Sequence, residues 1–232
     1  PVYWPYGETA KGYREEGYYP DAFVNMLALL GWNPGTEQEI FSMEELIGAF
    51  SIEKVHKAGS RFDPEKAKWF NRQYLVRKSN KDLALEFREI LRLKGYHHDI
   101  MDLEKLVGLV KERVSFVKEI WNETDFFFKA PDIYDPEVIK KRWTTDSPVQ
   151  LFELRELLNK TINFTPEATG QAVKSWITSK GYNSGAVMNV FRLVIVGTSR
   201  GPNMFDIIAW IGKQETLDRI DKGLAVIGKN AI

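Results

Sequence analysis

From Asp102 to Trp121 the chain reads DLEKLVGLVKERVSFVKEIW, and its apolar residues return at intervals of three and four. Leu103, Leu106, Val107, Val110, Val114, Val117 and Trp121 fall on one helical stripe, so the pattern predicts one long amphipathic helix. Most other segments carry the same period between recognisable start and stop signals. YPDAFVNMLALLG has Pro20 near its first turn and Gly31 just past its end, SMEELIGAF offers Ser42 and Glu45 as a capping box, and FDPEKAKWFNRQYL has Asp63 as cap before Pro64. NKDLALEFREILRLKG stops at Gly95, PEATGQAVKSWITSKG stops at Gly181, and Asp135-Pro136, Ser147-Pro148 and Thr165-Pro166 repeat the cap-then-proline signature. The pattern predicts roughly ten helices, with no convincing run of alternating apolar and polar residues that would mark a strand. The fold class expected is mainly α.

The segment APDIYDPEVIKKRWTTDSP, Ala130 to Pro148, holds three of the ten prolines and reads as a linker; a second boundary is expected near VRKSNKD. No internal repeat or low-complexity tract interrupts the pattern. The 232 residues are 44% hydrophobic and 13% aromatic, enough for a substantial core. The absence of cysteine excludes disulfides and thiolate metal sites, and fits a reducing cytoplasm. No apolar run approaches the roughly 18–20 residues of a membrane span, and no charged start precedes an apolar core as in a signal peptide. The chain opens PVYWPYGETA without Met, as expected of a piece of something longer.

Net charge is zero, but the charges are segregated. Trp32 to Phe50 has four acids and no Lys or Arg, Ser51 to Lys81 has nine Lys/Arg against three acids, and Ala168 to Phe205 has no acid against Lys174, Lys180, Arg192 and Arg200. Segregation of this kind gives a neutral protein basic faces, or arises simply from solvated helix surfaces.

Candidate chemistry is sparse. VFRLVIVGTSRGPNMF, Val190 to Phe205, resembles a strand entering a phosphate loop. A Walker loop, however, needs Lys and Ser/Thr after its second glycine, and here Pro202, which has no N–H, follows Gly201. The three spaced glycines of a dinucleotide turn are also missing. The stretch therefore reads as helix, loop, helix: Gly197 ends the first, Pro202 starts the second, and Thr198, Ser199, Arg200 and the backbone of Gly201 are presented between them. Adjacent His97 and His98 before Asp99 point apart on a helix and lack a third ligand, so they read as a surface turn, and no metal site is expected. Phe126-Phe127-Phe128 offers either base stacking or packing between helices, with packing preferred, and Trp69 and Trp176 read as core. No nucleophile pair, metalloprotease motif or tuned carboxylate pair appears, so no catalytic residue is assigned.

Four motifs, in order, carry a resemblance. GYREEGYYPDAFVNMLALLGWNPG, FDPEKAKWFNRQYL, KERVSFVKEIWNETDFFF and FRLVIVGTSRGPNMFDIIAWIGKQETLDRI together resemble bacterial glutamyl-tRNA synthetase downstream of its catalytic domain, nearly end to end. The glutaminyl enzyme, whose anticodon region is similar to β-barrels, fits less well. The family's ATP-binding loops are absent, so the resemblance implies the C-terminal portion alone, inactive by itself. It implies a stem-contact helical segment over 1–75 and two α-helical anticodon-binding subdomains over 76–145 and 146–232. The implied partners are tRNA, specific for glutamate and with glutamine tRNA as a further candidate, and a catalytic domain in cis. The full-length enzyme would use ATP and Mg, while this chain would hold no cofactor. The resemblance further implies that Arg192, Arg200, Gly201, Pro202 and Met204 approach anticodon bases, with Arg113 as a further match. Ile195-Val196-Gly197 replaces the family's Leu-Thr-Gly, and Met204 its Leu after Gly-Pro. An acid-free loop bearing arginines suits unstacked RNA bases, and the basic block at Ser51–Lys81 would face the inner side of the tRNA. The alternative is a helical protein-interaction module without an RNA role.

Overall fold

The structure, a computed structural model, describes residues 2–3, 9–10, 12–56 and 61–230, with backbone alone at 2–3, 9–10 and 229–230. Lys57, from the basic block, lies outside the described residues. Short strands β1 (Val2–Tyr3) and β2 (Thr9–Ala10) pair antiparallel with Val2 opposite Ala10, and Trp32 bridges Val55; the other regular elements described are helical, as the periodicity predicts. The chain divides into two compact units, Pro1–Glu123 and Thr124–Ile232.

The first unit contains α1 (Tyr13–Glu16), α2 (Pro20–Gly31), α3 (Met43–Ala49), α4 (Pro64–Arg77), α5 (Asn80–Leu93) and α6 (Ile100–Val110), and the division falls within α7 (Ile120–Phe128). The local signals act as written. Glu45 N–H donates to Ser42 Oγ at 3.1 Å while Ser42 N–H donates to Glu45 Oε2 at 2.7 Å, closing the capping box. Asp63 accepts from Glu65 N–H at 2.9 Å, with Pro64 at the first helical position. Met26, Ala67 and Phe70 form the α2–α4 core, flanked by Trp32, Phe41 and Leu46. α5 lies along α6, burying Leu83, Phe87 and Leu91 with Leu103, Leu106 and Val110.

α4 turns Ala67, Phe70, Asn71 and Leu75 inward. Asn71 is fully buried; its Oδ1 accepts Tyr19 N–H at 2.8 Å and its Nδ2 donates to Ser115 O at 2.6 Å. One turn on, the Tyr74 hydroxyl donates to Asn25 Oδ1 at 2.8 Å and lies against the Phe41 carbonyl. Trp69, expected in the core, is 39% exposed, because it sits off the face defined by 67, 70, 71 and 75. Trp176 is half-buried, its Nε1 donating to Glu153 at 3.3 Å.

The long helix expected over 102–121 is broken. α6 ends at Val110, a 3₁₀ turn follows at Lys111–Arg113, Val114 is extended with φ −117° and ψ 152°, and a second 3₁₀ turn at Val117–Glu119 leads into α7. Tertiary hydrogen bonds hold the break open. Asn71 takes the Ser115 carbonyl, Arg72 takes the Glu112 carbonyl, and the Glu119 carboxylate accepts Ser115 N–H at 2.7 Å and Phe116 N–H at 3.1 Å. These partners replace the helix's own, so the β-branched Val114 leaves the helix while its side chain stays buried.

The second unit holds α8 (Pro136–Arg142), α9 (Ser147–Lys160), α10 (Pro166–Lys180), α11 (Ser184–Val196), α12 (Met204–Ile211) and α13 (Lys213–Asn230). α11 is its axis: Val187, Val190, Phe191 and every residue from Leu193 to Val196 are buried, with α9 and α13 packed on it. The proline-rich 130–148 segment, expected as a linker, is packed into this unit. Tyr134 and Val138 are buried, and Asp135 caps α8 while its own N–H donates to Gly197 O at 2.8 Å. α13 crosses α11 closely at Gly223, where a Cβ would stand 2.5 Å from Val194 Cγ1 and 3.3 Å from Val194 Cα. Gly223→Ala is therefore expected to lower stability by about 1 kcal/mol, the overpacking outweighing the gain in helix propensity. A urea titration in which the alanine variant matches or exceeds the parent would refute the close-contact argument.

Candidate nucleic-acid interface

Five of the six residues that the sequence singles out, Arg192, Arg200, Gly201, Pro202 and Met204, lie where α11 gives way to α12. α11 is capped by Gly197, at φ +86°, whose N–H returns to Leu193 O at 2.8 Å. The chain then turns on Thr198, whose Oγ1 accepts Arg200 N–H at 3.2 Å. Thr198, Ser199 and Arg200 are exposed. Gly201 follows at φ +131°, and a Cβ there would meet Arg192 Nη1 at 3.1 Å and Phe126 Cζ at 3.4 Å. Only glycine takes this backbone without strain. Asn203 caps α12 by accepting Phe205 N–H at 2.8 Å, so the second helix begins at Met204 rather than at Pro202.

Arg192 sits one turn before the end of α11, and its guanidinium reaches the main chain of the loop. Nη2 donates to Pro202 O at 2.8 Å, and Nη1 approaches Arg200 O at 3.5 Å. The loop's path is thus set by a side chain gripping carbonyls, with a planar fork suited to two acceptors. The other residues fall into two groups. Pro202 is buried and Met204 is 2% exposed, so both serve the shape of the corner and its core. Arg200 is exposed, and its backbone is held on both sides, its N–H by Thr198 and its carbonyl by Arg192. Arg113 is exposed in the first unit, at the end of the 3₁₀ turn Lys111–Arg113, whereas the other five residues belong to the second.

The stretch 168–205, acid-free in sequence, is not acid-free in three dimensions. Lys180 is paired with Glu153 at 2.9 Å, and that ion pair, ahead of Tyr182 and Trp176, holds the Glu153 carboxyl below its ordinary range. Asp206, in the first turn of α12, has its carboxyl pushed up by burial and then by Glu167. In the Ser51–Lys81 block, Lys66, Lys68 and Lys78 are paired with Glu39, Glu65 and Glu86, while Lys54 and Arg72 reach backbone carbonyls. Arg61, Arg77 and Lys81 remain its outward cations among the described residues.

The aromatic run packs rather than presenting faces to solvent. Phe126 and Phe127 are buried, and Phe127 and Phe128 meet Trp210 edge-on at centroid distances of 5.2 and 5.3 Å. Sequence reasoning missed one residue: Arg219 on α13, 2% exposed, donates from Nη1 to Phe126 O at 2.6 Å and Ile195 O at 3.1 Å, and from Nε to Glu215 at 2.7 Å. A lone arginine beside Leu217 and Ile220 in an apolar stripe is the signal that marked it. No group of three or more potential metal ligands occurs among the described residues, and none of the described helices is long and apolar enough to cross a membrane.

Residues 80–224 match the family described as anticodon binding domain, and residues 7–69 match the catalytic domain of class I tRNA synthetases (E and Q). The chain is 50% identical over 222 residues to a glutamate–tRNA ligase of Porphyromonas gingivalis, covering 96% of this chain and 44% of that protein. It is 46% identical over 228 residues to one of Flavobacterium johnsoniae, covering 98% and 45% respectively. In three dimensions it is similar to a glutamate tRNA ligase from Elizabethkingia meningosepticum, crystallised in complex with its amino acid. The TM-score is 0.91 at 43% identity, over 95% of this chain and 44% of that one. The glutamate-tRNA synthetase of Elizabethkingia anophelis gives a TM-score of 0.88 at 40% identity. The chain therefore spans less than half the length of the relatives it matches.

Proposed function

Because the chain belongs to the anticodon-binding domain family over residues 80–224, we propose that it is the tRNA-binding, anticodon-recognising C-terminal part of a glutamate–tRNA ligase. The whole enzyme would attach glutamate to tRNA in the cytoplasm at the expense of ATP. Residues 7–69 match only part of the catalytic-domain family, so the ATP, Mg and glutamate sites would lie on the remainder of that domain, and these 232 residues alone are expected not to exchange pyrophosphate. The partner is the glutamate tRNA, with the glutamine tRNA as the second candidate.

The observation that carries this reading is the clamped loop at 198–203. Specific RNA recognition targets unstacked bases of loops through stacking and edge hydrogen bonds, and an anticodon is such a loop. A reader of those bases needs donors and acceptors held on a fixed path. Arg192 fixes the path through Pro202 O and Arg200 O, and Thr198, Ser199 and Arg200 supply exposed donors. An arginine suits a base edge because its fork can engage two acceptors at once. Arg113 and the outward cations of 61–81 would add phosphate contacts, which carry affinity without sequence information.

A filter-binding titration of the chain with a glutamate tRNA transcript tests this. Binding is expected to weaken steeply with salt. Arg192→Ala, which releases the loop, and Arg200→Ala, which removes its outward guanidinium, are each expected to raise Kd about tenfold. Lys105→Ala, on an exposed helical face, is expected to change Kd by less than about twofold. The absence of salt-sensitive binding to any tRNA would reject the reading and favour a protein-interaction module.

A further inference from the structure

We propose that Arg219 is a positioning residue for the 198–203 loop, a role that rests on the anticodon-reading function proposed above. Its Nη1 bridges two carbonyls, Phe126 O and Ile195 O, each in the last turn of a helix, α7 and α11. Carbonyls there have no partner within their own helix, and the helix dipole favours a cation beside them. Both helix ends lead to the loop. Ile195 lies two residues before Gly197, where α11 turns into it. Phe126 carries the ring that stands 3.4 Å from the position a Gly201 Cβ would take. One buried cation thus pins the chain that enters the loop and the wall beneath its far side. Arg192 then clamps the loop from α11, whose end Arg219 has fixed.

The chemistry singles out arginine for this position. Its fork places Nη1 between two carbonyls while Nε is held by Glu215 at 2.7 Å, so the guanidinium plane cannot rotate freely. A lysine keeps the charge but brings one flexible ammonium. An apolar residue fills the volume and leaves both carbonyls bare. Readout of a base edge tolerates displacements of only a fraction of an ångström, so loss of the bridge is expected to appear in discrimination between anticodons.

The test compares the chain's affinity for a glutamate tRNA transcript with its affinity for the same transcript carrying a substituted anticodon. Arg219→Met is expected to lower that ratio about tenfold, the scale of one lost base contact. The salt dependence should be unchanged, because no phosphate contact is touched. Leu158→Ala, a buried α9 change that also lowers thermal stability, should keep the wild-type ratio. Arg219→Lys should fall between, and it decides the matter if the methionine variant does not fold. Wild-type discrimination in a folded Arg219 variant, or an equal loss in Leu158→Ala, overturns the positioning role alone. A parent chain that binds both transcripts equally overturns the anticodon reading, and the positioning role falls with it.

Discussion

Gly197→Val is expected to destabilise the second unit by about 4 kcal/mol, combining backbone strain with overpacking. Gly197 has φ +86°, and an added Cβ would stand 2.8 Å from the Ile133 carbonyl oxygen and 2.9 Å from Pro131 Cβ. Neither neighbour can yield easily, because the Gly197 carbonyl itself accepts Asp135 N–H at 2.8 Å and ties the two segments together. A β-branched residue suffers both penalties, whereas alanine has the smaller side chain and should cost about 3 kcal/mol. A urea unfolding curve gives the number, and a loss below about 1 kcal/mol would show that this corner is far softer than its contacts imply.

The second large effect belongs to Asn71 in the first unit. Asn71→Leu preserves the volume but strands the Tyr19 N–H and the Ser115 carbonyl, both of which the amide satisfies at 2.8 and 2.6 Å. Two partly buried polar groups without partners should cost about 2 kcal/mol. Asn71→Asp should also destabilise, since a carboxylate can accept from Tyr19 but cannot donate to Ser115. Thermal unfolding of both variants checks this; an aspartate variant as stable as the parent would mean that the Ser115 bond contributes little. The loss should come with weakened protection of the 111–119 backbone in hydrogen exchange, because the amide is one of the groups that keep that segment out of the helix.

These two sites show where sequence reasoning reached and where it stopped. Helix class, the Ser42 and Asp63 caps, the Gly197 terminus and the helix–loop–helix character of 190–205 all follow from short-range signals, and the structure contains each. The break at 111–119 does not follow, because its causes are distant: Asn71 and Arg72 lie on α4, some forty residues away in the chain. A periodic stripe reports which residues are buried, and Val114 is indeed buried, but it says nothing about side chains that compete for the backbone. The same limit applies to charge. Counting gave a basic block at 51–81, yet Lys66, Lys68 and Lys78 spend their charge on carboxylates of this chain. At the candidate site the sequence located the loop. It did not separate the exposed Arg200 from the buried Met204, and it passed over Arg219, whose two carbonyl partners lie 93 and 24 residues away in the chain.

The Arg192 clamp carries a consequence for how such a loop can change. It holds the carbonyls of Arg200 and Pro202, groups that every residue possesses. Thr198 is constrained by its own bond to Arg200 N–H and Gly201 by its φ, but Ser199 and Arg200 contribute only backbone to the frame. Form and vocabulary are therefore uncoupled at these two positions. Substitution there can change the exposed side chains while the path that presents them stays the same, which makes them the natural pair of positions for a designer's library to vary.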